Sequence, residues 1–125
     1  MMSTVLQVAL GGAIGASARY LTGVAVLRAF GPGFPLAVLL ANVVGSFIMG
    51  VFVVFAAQKS QTHLAPFVMT GLLGGFTTFS AFSLETVTLI ERGQTGSAAL
   101  YVVLSVGGAV GALFLGVLTA RGIWA

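Results

Sequence analysis

Apolar positions along this chain fall into four long blocks separated by short polar connectors. The blocks cover 5–27, 36–57, 67–90 and 98–120, and each is near the roughly 20 apolar residues that cross a bilayer core. The connectors hold turn-forming and hydrophilic residues: Phe30-Gly-Pro-Gly-Phe-Pro35, Gln58-Lys-Ser-Gln-Thr-His63 and Glu91-Arg-Gly-Gln-Thr-Gly96. The pattern predicts helices over about 3–29, 35–58, 65–92 and 96–122 in a single integral membrane domain spanning 1–125. The expected fold class is therefore all-α, a membrane protein with four transmembrane helices per chain. The first block lacks a basic leader and its apolar run is long for a signal peptide, so it reads as a retained helix.

Composition agrees with this reading. Of 125 residues, 58% are apolar and only 6% charged, where a soluble domain carries about a quarter charged residues. Mean hydropathy is +1.15. There is no cysteine, which removes disulfide and thiol chemistry. His63 stands without nearby cysteine or carboxylate partners, which makes it a solvated loop histidine and not a zinc ligand. The net charge of +3 comes from basic residues scattered singly; they form no nucleic-acid patch and suit interface anchoring. Lys59 and Arg121 would lie on one side of the membrane, Arg28 and Arg92 on the other. This balance gives no orientation bias and is read as insertion in both directions, with antiparallel pairing of two copies. Gly11…Gly15, Gly71…Gly75 and Gly107…Gly111 have the small-xxx-small spacing that lets helix backbones approach, and so support an oligomer.

The third block holds the least helix-like stretch, Gly71-Leu-Leu-Gly-Gly-Phe-Thr-Thr-Phe-Ser-Ala-Phe-Ser-Leu-Glu85. Irregular backbone at membrane depth survives only where protein buries it or water reaches it. A break is expected at Gly74–Thr77, where freed carbonyls could hold a cation and freed amides an anion. Helical spacing would place Phe76, Phe79 and Phe82 in one row beside a row of Thr77, Ser80 and Ser83. Ring edges carry positive potential and can favour an anion without trapping it. Residues and spacing point to an ion site of undetermined identity.

Polar side chains inside spans are costly and often functional. Arg19 could snorkel to the interface or form a positive vestibule that concentrates anions. Glu85 could pair with an arginine or accept hydrogen bonds; beside an anion path it must be neutralised, hydrogen-bonded or off the axis. Asn42 can donate through its NH2 and accept through its oxygen, with an interhelical hydrogen bond as the plainer role. Ser46 lies one turn further on, and Tyr101 and Ser105 are likewise one turn apart. These groups supply donors at several depths, as replacement of a hydration shell requires.

The third-block stretch resembles the third-helix signature of the Fluc/CrcB fluoride channels. Gly11-Gly-Ala-Ile-Gly-Ala-Ser-Ala-Arg-Tyr20 resembles their first-helix signature, and Ala41-Asn-Val-Val-Gly-Ser46 their second-helix asparagine motif. The resemblance covers essentially the whole chain. It implies an antiparallel, dual-topology homodimer with a broken third helix, surrounded by membrane lipid in a cell inner or plasma membrane. It implies passive, selective export of fluoride, lowering its cytoplasmic concentration, and a structural sodium ion at the dimer interface on the main-chain carbonyls of Gly74 and Thr77. The family's pore phenylalanines fall on Phe79 and Phe82, leaving Phe76 for packing. Its pore asparagine falls on Asn42, its vestibule arginine on Arg19, and its hydroxyl track on Thr78, Tyr101 and Ser105, with Glu85 near the end. Ala37 and Val38 stand where relatives often carry Gly-Thr, and Ala109 stands where some carry serine, which shortens the track.

The alternative function is a small dual-topology drug/proton exporter. It needs a mid-membrane carboxylate, which the first, second and fourth spans lack. A non-transporting scaffold would leave the ordered polar residues without a role. No nucleophile–base pair or metal cluster in the sequence suggests an enzyme.

Overall fold

The computed structural model describes residues 1–124. Four helical stretches are long and apolar enough to cross a membrane: Met2–Phe30, Leu36–Gln58, Thr62–Glu91 and Thr95–Trp124. The first two are continuous helices, α1 (Met2–Phe30) and α2 (Leu36–Gln58). The third is composite: a 3₁₀ turn at Thr62–Leu64, a π-helical segment at Pro66–Leu73, the short α3 (Gly74–Phe76), and then α4 (Ser80–Glu91). The fourth is α5 (Thr95–Trp124).

Two glycine-lined contacts set the arrangement. The π-helical segment lies along α1, where backbone meets backbone. A Cβ added at Gly11 would come 2.5 Å from the Phe67 carbonyl oxygen, and one at Gly75 would come 2.8 Å from that of Gly12. The same addition at Gly15 would run into the Leu72 carbonyl. Helices α2 and α5 form the other intimate pair, with Gly50 against the Leu113 carbonyl and Gly116 against that of Phe47. Lipid tails are as apolar as leucine, so such close approach and its dispersion contacts hold helices together where water cannot drive burial. Gly11…Gly15 and Gly71…Gly75 thus pack against each other within one chain, so close approach is met there and these two pairs do not argue for the oligomer that their spacing is taken to support. Gly107 and Gly111 have open space within the chain.

Between these pairs the third span leaves the helix. Thr77 is extended, with φ −90° and ψ 159°, and α4 resumes at Ser80. The departure differs from the expected break at Gly74–Thr77, because Gly74 itself is helical at φ −61° and ψ −37°. The glycines before Phe76 permit close approach to α1 and do not unwind the chain. The change in backbone also dissolves the two expected rows. Phe76 lies beside Gly45, Phe79 is 76% exposed on the single chain, and Phe82 is buried. Thr77 and Ser83 donate to the carbonyls four residues back, Leu73 and Phe79, at 2.9 and 3.0 Å.

The α2–α5 contact predicts opposite results at two glycines. Gly50→Ala forces a methyl onto the Leu113 carbonyl and should destabilise the protein by about 1–3 kcal/mol. Gly23→Ala meets nothing within 4 Å and should be neutral or stabilising by up to ~1 kcal/mol through helix propensity. Unfolding in detergent measures both; equal effects would remove close approach as the reason for glycine at position 50.

Candidate functional site

The break is held open by one side chain. Asn42, on α2, accepts from the Thr78 backbone N–H through Oδ1 at 2.8 Å and donates to the Thr78 carbonyl through Nδ2 at 3.0 Å. A side-chain amide thus pairs with a main-chain peptide as a neighbouring strand would, and satisfies a residue that has left its helix. One Nδ2–H is left over for another acceptor. The Thr78 hydroxyl accepts from the Ala81 N–H at 3.2 Å, in the manner of an N-cap that starts α4. Ser80 Oγ lies 3.3 Å from the same hydroxyl. Gly45, one turn along α2 from Ala41, makes room for the Thr77 methyl.

The carbonyls around the break divide into two sets. The Leu73 carbonyl accepts from both the N–H and the hydroxyl of Thr77, at 3.0 and 2.9 Å. Arg19 Nε donates across from α1 to the Gly75 carbonyl at 3.2 Å, and Asn42 takes that of Thr78. The carbonyls of Gly74, Phe76 and Thr77 receive none of the hydrogen bonds that close the break. Carbonyl oxygens in that condition at membrane depth need a donor, water or a cation.

A cavity of about 440 Å³ opens beside this segment. Asn42, Thr78, Phe79, Phe82 and Ser105 line it, and so do Gly74 and Thr77. Its remaining wall comes from Ser46 on α2 and from Val106, Ala109 and Val110 on α5. Phe79 and Phe82 stand 5.4 Å apart between ring centres, inclined at 51°. Ser105 is 5% exposed and its hydroxyl has no hydrogen-bond partner within bonding distance among the described residues. An unpaired buried hydroxyl costs about 1–3 kcal/mol, which an acceptor placed in the cavity would offset.

Three expected site residues lie outside that lining. Tyr101 is fully buried behind it, against Phe82 at 5.2 Å, and its hydroxyl has no partner either. Glu85 lines a separate cavity of about 180 Å³ with Gly33, Pro35, Thr88 and Arg92. Arg19, half-buried, donates through Nε to the Gly75 carbonyl, a neutral partner that anchors the side chain without neutralising its charge. Ser46 was marked by its helical spacing from Asn42. The valines at 106 and 110 carry no sequence signal that separates a cavity wall from a lipid-facing side chain.

Apolar spans, a broken helix and a partly apolar cavity ringed by neutral donors define a multi-pass membrane protein with a polar site within its spans. Residues 6–117 match the family described as CrcB-like protein, Camphor Resistance (CrcB), and the chain belongs to that family. A protein of Ruegeria sp. (strain TM1040) named fluoride-specific ion channel FluC is 68% identical over 124 residues, covering 98% of both chains. Proteins of the same name from Cereibacter sphaeroides (strain ATCC 17029 / ATH 2.4.9) and Roseobacter denitrificans (strain ATCC 33942 / OCh 114) are 62% and 61% identical. Each match covers 98% of this chain, with 98% and 99% of the respective relative.

The paired bonds at Thr78 make a local prediction. Asn42→Ala should cost about 1–2 kcal/mol, the scale of interhelical hydrogen bonds in membranes. Hydrogen exchange should show lost protection at the Thr78 amide and none at the α2–α5 contact. A protected Thr78 amide in the variant would mean that something other than Asn42 holds the break.

Proposed function

We propose that this protein is a fluoride-selective channel that lets fluoride leave the cytoplasm passively. The observation that carries the reading is the cavity itself, where the unpartnered Ser105 hydroxyl joins Asn42, Thr78 and the Phe79–Phe82 pair. Its close relatives bear the name fluoride-specific ion channel. Fluoride is small and tightly hydrated, so a path for it must replace water with dense donors while remaining weak enough to release it. The spare N–H of Asn42 and the hydroxyls of Thr78 and Ser105 supply donors, with Tyr101 behind them. Ring edges at Phe79 and Phe82 supply positive potential without a fixed charge. Glu85 lies away from this cluster and shares the separate cavity with Arg92, whose positive charge offsets the carboxylate's repulsion of an anion there.

The working unit is an antiparallel homodimer inserted both ways in a cell inner or plasma membrane. Balanced loop charges support it, and so does Phe79, 76% exposed on a single chain and in need of cover. A structural sodium ion would sit at the interface on the carbonyls of Gly74 and Thr77. Neither accepts any of the hydrogen bonds that close the break, and oxygen donors of this kind suit a hard cation. Two copies would offer four such oxygens. In this assembly Arg19 holds the neighbouring Gly75 carbonyl and keeps it out of the donor set.

Liposomes loaded with fluoride or chloride test the channel directly. Fluoride should escape rapidly and chloride barely; equal release of both ions contradicts selectivity, and no release contradicts conduction. Phe79→Ile and Phe82→Ile should each slow fluoride with the dimer intact, whereas unchanged flux in both would reduce the rings to packing. Purification with a larger monovalent cation in place of sodium should weaken the dimer, as judged by its dissociation on dilution. A dimer indifferent to the cation would remove the Gly74–Thr77 site.

A further inference from the structure

The aromatic contacts continue past the cavity. Phe79 meets Phe82 at 5.4 Å, Phe82 meets Tyr101 at 5.2 Å, and Tyr101 meets Phe34 at 5.6 Å with the rings at 88°, edge to face. The column begins at the large cavity, which Phe79 and Phe82 line. It ends at the small one, because Phe34 sits between Gly33 and Pro35, both of which line the cavity holding Glu85 and Arg92. Tyr101 lies between them, fully buried, with its hydroxyl unpartnered. Phe34 comes from the α1–α2 connector and not from a span.

Local sequence fixes this connector. Gly31 and Gly33 have φ of 74° and 136°, the left-handed region that side chains avoid. Pro35 restricts the residue before it to extended backbone, and the Leu36 N–H closes a tight turn on the Phe34 carbonyl at 2.8 Å. Phe34 is thereby delivered to the cluster that holds Val38, Phe82, Leu89 and Tyr101.

We infer that Phe34 is a positioning residue of the fluoride path, setting the Tyr101 ring so that its free hydroxyl serves the ion between the two cavities. The inference rests on the channel reading above. Phe34 touches no ion itself; it acts through Tyr101. Without its edge-to-face contact the tyrosine ring gains freedom, and the hydroxyl is no longer held at one place along the path.

A double-mutant cycle on fluoride efflux from liposomes tests it. Phe34→Leu should slow efflux at least about threefold, within what loss of an edge-to-face pair delivers, while Phe34→Tyr, which keeps the ring, should conduct as wild type. In a Tyr101→Phe background, which keeps the second ring and removes the hydroxyl, Phe34→Leu should have no further effect. Losses that multiply independently of Tyr101, or unchanged efflux in Phe34→Leu, overturn the assignment. Gly33→Ala gives a second route if Phe34→Leu folds poorly, because it disturbs the turn that delivers Phe34 and removes no ring; its loss should likewise vanish in Tyr101→Phe. Wild type that releases no fluoride fails the channel reading itself. Wild type that conducts beside an unaffected Phe34→Leu fails only Phe34.

Discussion

Backbone polar groups at membrane depth have no water to fall back on, and every other feature of this protein follows from how that constraint is met at Thr77–Phe79. A continuous helix would satisfy it trivially and leave nothing for an ion. Here the helix stops, and the exposed peptide groups are divided among specific partners. Asn42 takes both polar groups of Thr78, the Thr77 amide and hydroxyl take the Leu73 carbonyl, and Arg19 takes the Gly75 carbonyl. The groups left over are the ones a ligand can use.

Such a division works only if the partners are held close, which explains where the glycines fall. Arg19 reaches Gly75 because α1 and the third span touch backbone to backbone through Gly11, Gly15, Gly71 and Gly75. Asn42 reaches Thr78 because Gly45 leaves space beside Thr77. The α2–α5 contact through Gly50 and Gly116 then fixes Ser105 relative to Asn42 across the same cavity. In water a larger apolar side chain would often be the better packing element. In lipid, close approach is what holds two helices together, and a methyl in the wrong place separates them.

Much of this was legible in the sequence. Four apolar blocks gave the spans, because length and hydropathy are local properties that a bilayer selects directly. Asn42 and the hydroxyls stood out because polar groups are rare in such blocks. The position of the break was less legible. Glycines weaken a helix, so Gly74 drew attention, yet the helix ends three residues later, where Asn42 on another span offers a better partner than the next turn does. A long-range hydrogen bond of that kind leaves no mark in spacing. Arg19 illustrates the same limit: its charge was plain, but its partner, 56 residues away, was not. Phe34, a phenylalanine in a glycine–proline connector, carries no sequence mark that separates it from any interfacial aromatic.

A break in a helix offers groups of opposite electrostatic character for one physical reason. Interrupting a helix frees carbonyls on its N-terminal piece and demands donors for the piece that follows. The carbonyls of Gly74 and Thr77 come from the first and suit a cation. Thr78, which caps α4, and Asn42, which braces it, bring donor groups that suit an anion. A carboxylate or lysine placed in the cavity would bind its counter-ion strongly and release it slowly. Neutral amide, hydroxyl and ring-edge groups avoid that trap, and the cavity lining contains no charged side chain. On the channel reading, backbone direction and neutral dipoles would favour the anion without a fixed charge in the lining to hold it.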